Sequence, residues 1–151
     1  MESITEKTAE HLRELIIINN DRYEGYQKAS DHTKDADLKA LFSTLSAQSK
    51  VYNASLRSLV PATEETPDRD ETRLSGKFFR TWMDVKNAID SNNRKQILNS
   101  CEQGEDVAKE AYQNVLEDKE ELTSNALSTI EKQYQELLKA HDQVKALRDS
   151  A

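Results

Sequence analysis

Residues 94 to 117, RKQILNSCEQGEDVAKEAYQNVLE, decide how this chain is read. At about 100° per residue, Ile97, Leu98, Cys101, Gly104, Ala108, Tyr112, Val115 and Leu116 fall on one stripe, the pattern of an amphipathic helix. Glu105 falls inside that stripe, and a carboxylate on an inward face requires a partner. The sequence leaves three kinds of partner open: a metal ion, an arginine, or a ring of neutral amides from neighbouring helices. Asn93-x-x-Gln96 has capping-box spacing and predicts the start of this helix, which ends near Glu117.

Outward from that stretch, the chain continues the helical pattern. Three glycines and two prolines against 32% charged residues leave little punctuation for strands, so the fold class is all-α. At 151 residues, a single domain over 1–151 is expected. Ser3-x-x-Glu6 predicts the start of a first helix, which runs to about residue 30. Leu38, Leu41, Phe42, Leu45, Tyr52, Leu56 and Leu59 mark a second helix, an antiparallel neighbour of the first because the turn between them is short. Residues 61–73, PATEETPDRDETR, hold both prolines and read as an exposed loop. Leu74, Phe78, Trp82, Val85 and Ile89 then mark a short amphipathic helix. Asp118-x-x-Glu121 predicts the cap of a last helix, with a stripe from Leu122 through Ala126, Ile130, Gln133, Leu137, Ala140 and His141 to Val144.

The connection between the second and third long helices sets the topology. Thirteen extended residues span roughly 43 Å, and a helix of about 27 residues is roughly 40 Å long. Loop and short helix together can therefore return the chain along the bundle, leaving the second and third long helices parallel. This is the connectivity of a ferritin-like four-helix bundle whose long crossover carries a short fifth helix.

Counted from the helix ends, Asn19, Arg22, Gln48, Glu105 and Gln133 fall near mid-helix on inward faces, and His141 also faces inward. These six residues form the predicted polar core layer. In ferritin-like carboxylate proteins this level holds a dinuclear metal site built from two glutamates and two Glu-x-x-His pairs. No Glu-x-x-His occurs here, because Thr8, Ala29 and Leu138 stand three residues before His11, His32 and His141. One inward carboxylate cannot supply the ligands of a di-iron pair. No cofactor is expected, and a mononuclear metal ion around Glu105 and His141 is the alternative. Cys101, the one cysteine, sits on the apolar stripe and reads as a buried inert thiol.

The stretches IIINNDRYEGYQKA, DLKALF, SGKFFRTWMDVKNAI, ILNSCEQGEDVAKEAY and AHDQVKALRD, in this order, resemble a bacterial family of ferritin-like four-helix bundles of unknown function. The resemblance covers nearly the whole chain and implies the fold and a bacterial origin, with no activity and no catalytic residues to carry over. Phe79 departs from the histidine expected before Arg-x-Trp in that family.

A net charge of −7 with interleaved signs argues against nucleic acid as a partner. The longest apolar run, Leu15 to Ile18, is too short to span a membrane, and the N-terminus lacks the pattern of a signal peptide. A cytoplasmic location is therefore expected. No nucleophile with its base and no glycine-rich phosphate loop can be read. The leading expectation is a non-catalytic interaction or structural module, with a protein partner or homodimer contact at Phe78, Phe79 and Trp82. A metal-binding or redox protein and a small-molecule binder lined by tyrosines are the other classes.

Overall fold

The computed structural model describes residues 2–67 and 77–151, and for residues 77–82 the backbone alone. Five α-helices account for most of it: α1 (Ile4–His32), α2 (Ala36–Leu59), α3 (Lys77–Asp90), α4 (Arg94–Glu117) and α5 (Ser124–Asp149). Among the described residues there is no strand, in keeping with the all-α composition.

Local capping accounts for the starts of α1 and α4. The Ser3 hydroxyl accepts from the Glu6 amide and the Asn93 side-chain Oδ1 from the Gln96 amide, so both predicted starts hold. Asn92 terminates the turn after α3 with φ 54°, a left-handed conformation that asparagine tolerates better than other residues with a side chain. The start of α5 differs from expectation. Asp118 leads into a 3-10 turn over Lys119–Glu121, and α5 begins only at Ser124, after Thr123. A tertiary clasp overrides the local cap here: the Thr8 hydroxyl donates to the Glu121 carbonyl at 2.9 Å and accepts from the Thr123 amide at 3.1 Å.

Cross-helix contacts fix the directions. Arg22 meets Glu105, Asn19 meets Tyr112 and His11 meets Glu121, so α4 runs antiparallel to α1. Ser30 meets Ser43 while Asn20 meets Asn53, so α2 is also antiparallel to α1. It follows that α2 and α4 are parallel, and Arg94 at the start of α4 accordingly pairs with Asp35 and Asp37 at the start of α2. That guanidinium holds the exposed Asp37 carboxyl below its usual range. Gln113 meets Tyr134 and Glu102 meets Arg148, making α5 antiparallel to α4. Residues 60–93 therefore carry the chain from one end of the four long helices to the other, and α3 lies against α4 and α1.

The apolar interior has two parts. Leu12, Leu15, Ile16, Leu56, Tyr112 and Ile130 pack toward one end, and Tyr26, Leu38, Phe42, Val85, Leu98 and Val144 toward the other. Each such aliphatic or aromatic side chain contributes roughly 1.5–3 kcal/mol on burial. Between the two clusters α1 is buried on all sides, since the consecutive Asn19, Asn20, Asp21 and Arg22 are all inside.

Candidate functional site

The polar layer lies where the two apolar clusters meet. Helical spacing sets Asn19, Arg22 and Tyr26 on one face of α1, Leu45, Gln48 and Ser49 on the facing side of α2, and Cys101, Glu105 and Tyr112 on α4. Arg22 and Glu105 side chains are each 1% exposed and meet with Nη2 to Oε1 at 2.9 Å and Nε to Oε1 at 3.2 Å. The rest of the guanidinium is also engaged. Its Nη2 donates to Gln48 Oε1 at 2.8 Å, and its Nη1 donates to Ser49 Oγ at 2.8 Å and the Leu45 carbonyl at 3.4 Å. All five N–H groups of the side chain thus have acceptors. Tyr26 donates its hydroxyl to Glu105 Oε1 at 2.5 Å, and the Arg22 guanidinium lies 5.4 Å from the centre of the Tyr26 ring.

The network continues across the molecule. Ser49 donates to Asn19 Oδ1 at 3.0 Å, while Asn19 Nδ2 donates to the Leu15 carbonyl and to Tyr112 Oη, both at 2.9 Å. Tyr112 donates to Gln133 Oε1 at 2.7 Å, and Gln133 Nε2 reaches the Tyr52 carbonyl at 3.3 Å. One connected system therefore joins α1, α2, α4 and α5, as a buried polar cluster must to avoid a desolvation penalty.

The electrostatics follow from burial and pairing. Burial alone lowers the Arg22 guanidinium's affinity for its proton, but the Glu105 carboxylate more than offsets this and holds it above its ordinary range. Burial, with the Glu105 charge added, pushes the Tyr26 hydroxyl well above the usual phenol range. Burial likewise raises the Tyr52 and Tyr112 hydroxyls and the Cys101 thiol, which is therefore an inert group. Glu105 Oε1 accepts from Arg22 and Tyr26, and Oε2 accepts from Arg22 Nε at 3.3 Å. The arrangement can hold four helices in place, but it presents no reactive group.

Of the predicted layer, Asn19, Arg22, Glu105 and Gln133 are buried and Gln48 is half-buried within it. His141 is not part of it. Its side chain, 13% exposed, faces Asp106 and Glu102 of α4 in place of Glu105, with Nε2 2.8 Å from Asp106 Oδ1 and 3.8 Å from Glu102 Oε1. Glu105 and His141 thus meet different partners, Arg22 and Tyr26 for the one, Asp106 and Glu102 for the other. Ser49 and the Tyr26 and Tyr112 hydroxyls complete the layer. Tyr112 was legible from its place on the α4 stripe, and the helical spacing that puts Tyr26 with Arg22 and Ser49 with Leu45 was the available signal for the other two.

The side chains of Phe78, Phe79 and Trp82, the predicted interface, lie outside the described residues. A groove of about 470 Å³ opens beside Leu116, Lys119, Glu131, Lys132 and Tyr134, between the end of α4 and the start of α5. Of the tyrosines, Tyr134 lines it, whereas Tyr26, Tyr52 and Tyr112 do not. No described helix is long and apolar enough to cross a membrane. Among the described residues, two sets of potential metal ligands each bring their ligand atoms within 4.8 Å: Glu102 with Asp106 and His141, and His11 with Asp118 and Glu121.

Residues 7–118 match the family described as a domain of unknown function (DUF2383), and the chain belongs to that family. No curated protein matches the chain.

Proposed function

We propose that this DUF2383 protein is a single ferritin-like four-helix-bundle domain, of the bacterial kind its sequence resembles, working in the cytoplasm as a non-catalytic, self-associating structural module. The parallel course of α2 and α4 and the long connection over residues 60–93 support the ferritin-like reading. The observation that carries the non-catalytic part is the Arg22–Glu105 pair, 1% exposed on both sides and with every guanidinium N–H engaged. A dinuclear metal does not fit these residues. A guanidinium already supplies positive charge at this level, Glu105 is engaged by Arg22 and Tyr26, and the remaining partners are amides and hydroxyls.

The outer face of α2 supports association. Ala40, Thr44, Ala47, Val51, Ala54 and Ser58 are all exposed, step by four and three alternately, and carry no charge in a chain that is 32% charged. Val51 is 64% exposed. Small residues at a 3.5-residue period let two helix backbones approach closely, and one such stripe is self-complementary about a twofold axis. The occupant is therefore a second copy of this chain. Sedimentation velocity tests it: the protein should run as a dimer at high micromolar concentration, and Ala47→Glu with Val51→Glu should give a folded monomer. A wild-type monomer throughout that range would refute self-association. A core metal that Glu105→Gln removes would refute the non-catalytic reading separately.

A further inference from the structure

We propose that Glu102, Asp106 and His141 form a site for a divalent metal of the zinc class, pinning α4 to α5 outside the Arg22–Glu105 core. Glu102 and Asp106 are one turn apart on α4 and so share a face, while His141 comes from the antiparallel α5 packed beside it. Glu102 and His141 are each 13% exposed, whereas Asp106 is half exposed and leaves a side open to water. Each residue presents one ligand atom, and the three lie within 4.8 Å of one another. Ligands at 2.0–2.2 Å around a tetrahedral zinc ion are about 3.4 Å apart. The observed separations of 2.8 Å and 3.8 Å from His141 Nε2 bracket that value, so small side-chain rotations complete the geometry.

The surroundings of His141 are anionic on both sides of the ring. His141 Nδ1 lies 3.2 Å from Asp142 Oδ1, and Nε2 faces Asp106 and Glu102. Both ring nitrogens thus meet carboxylate oxygens, which only accept, yet a neutral imidazole has one ring proton to donate. With that proton on Nδ1 toward Asp142, Nε2 is left 2.8 Å from Asp106 Oδ1 and 3.8 Å from Glu102 Oε1, where a bound dication would be shared by all three ligand atoms. The Nδ1 contact is the carboxylate–histidine arrangement that orients metal-bound imidazoles. Arg148 pairs with Glu102 Oε2 and so leaves Oε1 turned toward His141. Lys109, 3.8 Å from Asp106 Oδ1, is a competing cation that a bound metal displaces. One histidine with two carboxylates and open water positions selects borderline dications such as Zn2+ over Mg2+ or Ca2+.

The site does not depend on the proposed self-association. Equilibrium dialysis of the full chain, purified without an affinity tag, against micromolar ZnCl2 should give one zinc ion per chain. His141→Gln and Asp106→Asn should each weaken binding at least about tenfold, the scale that even the outer partners of metal ligands command, while His11→Gln should leave it unchanged. Cobalt substitution should give the visible absorption of a four-coordinate ion. Should His141→Gln fail to fold, paramagnetic broadening of wild-type amides by Co2+ decides: it should centre on residues 102, 106 and 141. Absence of zinc binding, binding that survives His141→Gln, or binding and broadening that follow His11, Asp118 and Glu121 would each overturn the proposal.

Discussion

Arg22→Ala is the most informative single perturbation of this fold. It removes the Glu105 counter-charge and strands the acceptors on Gln48 and Ser49, in a layer where Arg22 and Glu105 side chains are each 1% exposed. Breaking a buried pair by deleting one partner costs about 3–5 kcal/mol, against a total stability of about 5–15 kcal/mol for an ordinary domain. The loss should also depend on pH. A carboxylate stranded in the core can take up a proton that the unfolded chain does not hold, and stability then falls with rising pH by about 1.4 kcal/mol per unit. A deficit of about 3 kcal/mol at pH 7 should therefore relax over roughly two pH units on acidification. Urea unfolding at several pH values, followed by helical circular dichroism, measures both quantities. Glu105→Gln provides the contrast, because it leaves a guanidinium that cannot discharge, and its deficit should not relax with acid in this way. A loss at pH 7 below about 1 kcal/mol for Arg22→Ala, or one flat from pH 4 to 7, would show that the carboxylate is not stranded and would refute the argument.

Other consequences are also measurable. Tyr26→Phe deletes the 2.5 Å bond to Glu105 and should cost about 1.5–3 kcal/mol in urea unfolding, the range for hydrogen bonds to charged groups. Tyr26, Tyr52 and Tyr112 keep their protons in the fold beyond the pH at which free phenols lose them. Their contribution is fully present below about pH 10 and is lost as pH rises further, by up to about 1.4 kcal/mol per unit for each. Tyrosinate absorption from these three should therefore appear together with the loss of helical signal. Thr8→Val removes both hydrogen bonds that clasp the turn before α5, should cost about 1–3 kcal/mol, and should speed amide exchange at Thr123. Replacing the pair outright, with Arg22→Met and Glu105→Leu together, should recover the part of the Arg22→Ala loss that comes from the stranded carboxylate, while Gln48, Ser49 and the Tyr26 hydroxyl still lose a partner. A double variant no more stable than Arg22→Ala would contradict this.

How much of this could be read in the chain depended on the range of each signal. The α4 helix ends where capping and periodicity place it, Arg94 to Glu117, because those signals lie within a few residues of the boundary. The start of α5 was misplaced because the competing contact comes from Thr8, more than a hundred residues away in sequence. Glu105 was legible as a buried charge, and an arginine was among its possible partners. Counting from the helix ends placed Arg22 in the same layer as Glu105 and so made it the candidate partner, and the two side chains do meet. His141 shows the limit of counting at 100° per residue: Gln133, Leu137, Ala140 and Val144 face the core, and His141, one position past Ala140, falls on the flank toward α4. Glu102 and Asp106 gave no sign of their role, because an acidic pair one turn apart is ordinary on a solvated helix face.

The placement of the layer between two apolar clusters explains what a buried pair can add that leucine cannot. Contacts among Leu12, Leu15, Ile16 and Leu56, or among Leu38, Phe42 and Leu98, are non-directional, and an apolar stripe repeats at each turn. Sliding α4 by one turn, about 5.4 Å, would exchange one apolar neighbour for another at little cost. The same slide carries Glu105 out of reach of Nε and Nη2 of Arg22 and of the Tyr26 hydroxyl together, leaving opposite charges unpaired in the interior. Register thus rests on the residues that contribute least to net burial energy. The Arg22→Met and Glu105→Leu variant separates the two roles: its stability reads the packing, and the sharpness of its amide spectrum reads whether one register survives without the pair.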